Sequence, residues 1–203
     1  MGQNFRSFAP ATLHRISKTL SSFHPAIESS LFLMKTPILV SLAVLFFPFL
    51  LAANVVEIAG YQFVAPAQWK QVEPNSSMRK AQFDLSTDTG KSAELVFFYF
   101  GPSGGGGVRA NVDRWVKQFD DLQQNEVKEE IVNEIKVTYV RTTGTFLSGS
   151  PFGPKTPKPA HSLLGAIVEG RQGLIFLKMV GQTPAVKVFE KPVVEMIENS
   201  LSN

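Results

Sequence analysis

The chain has 203 residues, 44% of them hydrophobic and 18% charged, with no cysteine and a formal net charge of +3. That composition excludes a disordered polar chain, a collagen, a disulfide-stapled miniprotein and a cysteine-ligated zinc finger. Residues 1–53 carry four of the 20 bases and one of the 17 acids; sixteen of each remain, so the rest of the chain is neutral and gives no charge-based reason to expect nucleic-acid binding.

Residues 1–33 are serine-rich, hold His14 and His24, and show no apolar period. They read as a disordered upstream extension, with translation starting at Met34, or else as a transit peptide. From Met34 the chain has a short basic flank at Lys35, an apolar run Ile38–Leu51, and the small pair Ala52-Ala53. This is the three-part layout of a secretory signal peptide over 34–53, cut after Ala53, which expects a periplasmic or extracellular address. The alternative is an uncleaved anchor through residues 36–56. Its strongly apolar part, Ile38–Ala53, is about 24 Å long as a helix against a bilayer core of about 30 Å, and Pro48 interrupts it. With no cysteine after the apolar run, a lipid-anchored lipoprotein is excluded.

The remainder, 54–203, reads as one α+β domain. Tyr61–Ala65 is a short strand stopped by Pro66. Arg79–Thr87 alternates Ala81, Phe83 and Leu85 against polar residues, and Ala93–Phe100 is a continuous apolar run, so the two predict a hairpin with its second strand covered on both faces. A glycine-rich loop, Gly101–Gly107, leads to a helix expected over Asn111–Gln124, with Asn111 as N-cap. Its apolar stripe is Val112, Trp115, Val116, Phe119 and Leu122. Val127–Val132 and Ile135–Phe146 predict strands joined at Asn133-Glu134. Leu147–His161, with its prolines and glycines, predicts a loop. Leu163–Glu169 and Leu174–Val180 predict a hairpin across Gly170-Arg171-Gln172-Gly173. Thr183-Pro184 opens a last helix, which Pro192 should kink or divide. Short links favour antiparallel pairing, and two amphipathic helices must bury their stripes against the sheet.

Phe63, Pro66 and Trp69 before the sheet form an aromatic-x-x-Pro-x-x-Trp opening. The glycine loop then leads to Asn111-Val-x-Arg-Trp115-x-x-Gln118-Phe119, and Val180-Gly181 and a final helix ending Met196-Ile-x-x-Ser200-Leu201 close the domain. This pattern resembles the superfamily of the photosystem II extrinsic protein PsbP and the Mog-type proteins, most closely its exported bacterial members of unassigned function. The resemblance covers about Val56–Leu201. It implies a central, mostly antiparallel sheet of about six strands flanked by helices on both faces, an α/β/α sandwich. It also implies a binding or assembly role without enzyme activity or cofactor, and it carries no photosystem role to this chain.

The glycine loop is the sharpest local feature. Four consecutive glycines, Gly104, Gly105, Gly106 and Gly107, read first as a flexible connection. A strand, a glycine turn and a helix N-terminus also suit an anion or partner site, with Arg109 and Asn111 contributing side chains. No Lys-Ser or Lys-Thr follows Gly107, and Arg109 stands where a dinucleotide fingerprint needs its third glycine. His161 is the one histidine of the neutral part, without GxSxG or HxxxH context, and reads as a surface residue. Glu126, Glu129 and Glu130 with Lys128 and Lys136 read as a solvated face. Trp115 belongs to the core stripe, whereas Trp69 is open between core and ligand stacking. Asn75-Ser76-Ser77 matches a glycosylation sequon.

The expected function is an exported, non-catalytic binding or interaction module without metal or cofactor. Its partner is a protein or small ligand of the cell envelope, with membrane contact only through an uncleaved leader. The alternatives are a hydrolase built around His161 and Glu169, or a membrane-tethered structural protein.

Overall fold

In the computed structural model, residues 53–74, 76–150 and 153–202 are described. The leader 34–53, except its last residue, the extension 1–33 and Asn75 of the sequon lie outside them. The elements in order are strands β1 (Asn54–Ile58), β2 (Tyr61–Ala65), β3 (Lys70–Val72), β4 (Arg79–Ser86) and β5 (Ser92–Tyr99) and helix α1 (Val108–Val116). Strands β6 (Phe119–Val132), β7 (Ile135–Ser148), β8 (Thr156–Gly170) and β9 (Gly173–Gln182) follow, and helix α2 (Thr183–Leu201) ends the series. Strands β1 and β2 pair as a separate hairpin, and the other seven form one sheet in the order β3-β4-β5-β9-β8-β7-β6. Every pairing is antiparallel. The α+β class and the antiparallel sheet follow the sequence; the strands are more numerous than expected.

The turns explain the pairing. Asn133 and Glu134 both take positive φ, as do Ala59 and Gly60. These two-residue links have the left-handed backbone whose twist matches that of the strands they join. Glu134 therefore accepts a conformation that side chains disfavour, held by Val132 facing Ile135.

Side chains alternate between the two faces of the sheet, as a two-residue period requires. Along β8, Leu164, Ala166 and Val168 join one core cluster, while Leu163 and Ile167 join another. The first cluster is closed by the β1–β2 hairpin, through Phe63 and Ala65, and by α2, through Ala185, Val186, Val193, Met196, Ile197 and Leu201. Trp69 belongs here as well, edge-on to Phe83 and Phe189, so it is a core residue. The second cluster sets Val112 and Trp115 of α1 against Val140, Leu163, Ile167 and Phe176. Trp115 fits because β8 has Gly165 beneath it; a Cβ there would lie 2.3 Å from the indole.

Four local expectations are corrected. The helix expected over 111–124 runs only over Val108–Val116, and Gly107, not Asn111, is its N-cap. Residues from Phe119 onward form β6, which lies along β7. Leu122 of the expected stripe is therefore 48% exposed. Gln and Glu favour a helix weakly, and the β7 ladder outweighs that preference. The loop expected over 147–161 is shorter, because Pro157, Pro159 and His161 lie in β8. Thr183 is the first residue of α2 rather than its cap, and Pro192 stands inside a single helix. Proline denies a hydrogen bond to the carbonyl four residues back. That residue is Val188, which is 58% exposed, so the bond is missing on the solvent side of the helix. Phe189, rather than Val188, packs inward.

Candidate functional site

The expected glycine loop is built for packing. Gly105 has φ +86°, and a Cβ on it would lie 2.7 Å from the Phe176 ring, so the backbone here runs close over an aromatic of the second cluster. Asn111 is buried. Its Nδ2 donates to the carbonyl oxygens of Gly105 (2.8 Å) and Gly107 (2.9 Å), and its Oδ1 accepts from Arg114. The amide thus ties the loop to the helix. Arg109 points away, its side chain 95% exposed and 4.0 Å from Asp113. Gly104, Gly105, Gly106 and Gly107 thus lie together with Asn111, while Arg109 stands apart from them.

A different place gathers chemistry. Helix α1 has nine residues, about 14 Å of length, whereas β8 has 15, about 50 Å of strand. One short helix cannot cover that face. Beside α1 a half-open cleft of about 930 Å³ remains. Val96 and Phe98 of β5 and Lys178 and Val180 of β9 line it, with Gln118 beyond α1 and Phe146 and His161 where β7 meets β8. Its charged lining has one sign in excess: Arg79, Arg114, Lys117, Lys155, Lys158 and Lys178 against Asp84 and Glu94. Glu94 accepts from Arg79 (3.1 Å) and from Gln82 (2.8 Å), so Arg79 is already neutralised. Among the described residues the other five bases make no ion pair.

Lys178 is the least ordinary of them. The ladder sets it between Val96 of β5 and Gly165 of β8. Its ammonium donates to Gln118 Oε1 and stands 5.6 Å over the Phe146 ring. Burial lowers its pKa from 10.5 to about 8, against the pull of Glu94 and with the push of Arg79 and Arg114. A neutral amide and a ring face are weak substitutes for water around an ammonium ion. Sequence reasoning missed this residue because a lone lysine in the apolar run Leu174–Val180 carries no motif. Its one signal was a cation on an alternating strand face that the pattern would otherwise bury.

The other candidates do not converge. His161 Nδ1 lies 2.9 Å from the Pro159 carbonyl, and its ring stacks on Phe146. Glu169 is eight residues further along the same strand, roughly 26 Å away, and pairs with Lys136 at 2.9 Å. The proposed His161–Glu169 pair therefore does not form. Ser162, next to His161, bonds Thr143 and Thr183 instead. Tyr139 has a buried hydroxyl with no hydrogen-bond partner among the described residues; burial, aided by Glu198 and Glu130, pushes its pKa up, so it keeps its proton. Glu126, Glu129 and Glu130 sit on the edge strand β6, where Lys128 reaches Glu130 and Lys136 reaches Glu129. No three metal-ligating side chains cluster among the described residues, and none of their helices is long and apolar enough to cross a membrane. No protein-family model matches the chain, and no curated protein matches it.

Proposed function

We propose that the protein is an exported, non-catalytic binding module that takes its ligand or partner into the cleft beside α1. The single observation carrying this reading is the cleft itself, a concavity of about 930 Å³ on the sheet face beside α1. Its floor is strand β5 and β9, each paired along its length, and a paired floor favours binding without rearrangement of the sheet. The distance from His161 to Glu169 and the bonding of Ser162 to Thr143 and Thr183 support recognition over turnover, since nucleophilic catalysis needs such groups within hydrogen-bond reach. The resemblance to PsbP and Mog-type proteins is part of the same proposal. Core clusters on both sides of the sheet and a closing helix support that layered plan.

The cysteine-free chain offers a clean test. Ser148→Cys, at the cleft rim, should be shielded from maleimide by whatever the protein captures from an envelope extract. Val188→Cys, exposed on α2, should stay reactive. Equal labelling of both in the loaded protein removes the cleft as the binding site. Turnover of generic esters, phosphates or glycosides that disappears in His161→Ala would instead make the protein a hydrolase.

A further inference from the structure

We propose that the occupant of the cleft is a compact, multiply charged oxyanion, held by Lys178 from the floor and by Arg114 and Lys158 from the sides; this rests on the binding reading above. The argument is one of unbalanced charge. The neutral composition of residues 54–203 hides a local excess, because six bases and two acids face one cavity. Arg79 and Glu94 cancel each other at 3.1 Å, which leaves Asp84 against five bases. Arg114 is aimed by Asn111 and the glycine loop, so a planar donor fork is positioned at the cleft wall. Lys178 stands on the sheet floor of the same cleft, whose lining includes apolar Val96 and Val180. Guanidinium and ammonium groups set around an apolar-floored cavity match the several acceptor oxygens of a phosphate-bearing or polycarboxylate group. Such an anion gives Lys178 the counter-charge that Gln118 and the Phe146 ring cannot supply.

A proton linkage follows. The charges acting on Lys178 are Glu94 from β5, Arg79 from β4 and Arg114 from α1; Asp84 from β4, Lys117 and Lys155 beyond the ends of α1 and β7, and Lys158 and His161 from β8 line the same cleft. In the empty protein the ammonium begins to lose its proton near pH 8. A bound anion holds that proton, so the complex takes one up at alkaline pH. Affinity is then highest below pH 8 and falls with rising pH, by up to about tenfold per unit for a single linked proton.

The test is calorimetric titration of the full chain, in nonionic detergent, with inorganic pyrophosphate and separately with citrate. Saturable binding of one equivalent of either anion supports the proposal, and the preferred one names the source as phosphate or carboxylate. Lys178→Met should weaken binding at least tenfold and remove the fall in citrate affinity between about pH 8 and 9, a range in which citrate itself does not titrate. Arg109→Gln, at the exposed end of the glycine loop, should leave binding unchanged. The proposal is overturned if neither anion binds, or if Arg109→Gln weakens binding as much as Lys178→Met. Should neither anion bind while captured material still shields Ser148→Cys, only the ligand class fails. Should an anion bind and be turned over, the class stands and the non-catalytic reading fails.

Discussion

Lys178 is the residue at which stability and binding pull apart. Its pKa lies below 10.5 in the folded protein, so between about pH 8 and 10.5 the unfolded chain binds more protons. Stability attributable to this site therefore rises with pH through that window, and below it the folded protein carries the full cost of a buried cation. The shift from 10.5 to about 8 corresponds to roughly 3 kcal/mol, from which about 1 is subtracted for the bond to Gln118. Lys178→Met should thus stabilise the protein by about 2 kcal/mol at pH 7 and by much less at pH 10, read from denaturant midpoints at the two values. A variant that is less stable at pH 7 would show that the ammonium is better solvated than its surroundings suggest. The same substitution is expected to lose the anion, so loss of binding cannot be ascribed to loss of fold. Asn111 is the contrasting case. Its type and place were legible as a helix-start residue beside a glycine loop, but its partners were not. Whether a short amide caps a helix or ties a loop depends on where the helix begins, one turn's difference that local pattern does not resolve.

Among the elements, α1 and β6 show how far periodicity reaches. Val112 and Trp115 are spaced for a helix and do lie on one, yet Phe119 and Leu122 continue that spacing inside a strand. A short helix followed by an exposed strand mimics one longer helix, because Asp120–Glu129 of β6 are exposed whichever way they point and carry no alternation. Helix α2 gives the opposite lesson. Its proline was expected to kink or divide it, but the helix is continuous, with Ala185 and Val186 before the proline and Val193, Met196, Ile197 and Leu201 after it buried in the first cluster. Packing of an amphipathic face outweighs a single missing backbone bond. Because that bond is missing on the exposed Val188 side, Pro192→Ala should restore it without a clash and raise stability by about 1–3 kcal/mol. A thermal midpoint that does not rise would mean that the surrounding helix is already adapted to the ring.

At the scale of the whole molecule, the β1–β2 hairpin joins the sheet through Phe63, which is fully buried and edge-on to Phe97 at 5.4 Å. Phe63→Ala leaves a cavity between hairpin and sheet and should cost about 3–5 kcal/mol, with a single cooperative transition if hairpin and sheet unfold together. A small, separate early transition would instead show a hairpin that melts on its own. By itself the sequence determined the antiparallel pairing, through turn residues at Asn133-Glu134 and Gly170–Gly173, the core face of β4, through its alternation, and the burial of β5, through its continuous apolar run. Those features are local, and local chemistry writes them. Only the tertiary structure decided that α1 is too short to cover its face, that the uncovered strip is a cleft, and that bases from β4, α1, β8 and β9 converge there. Charges far apart in the chain meet through strand order, and a stretch such as 54–203, whose bases and acids sum to zero, does not state that order.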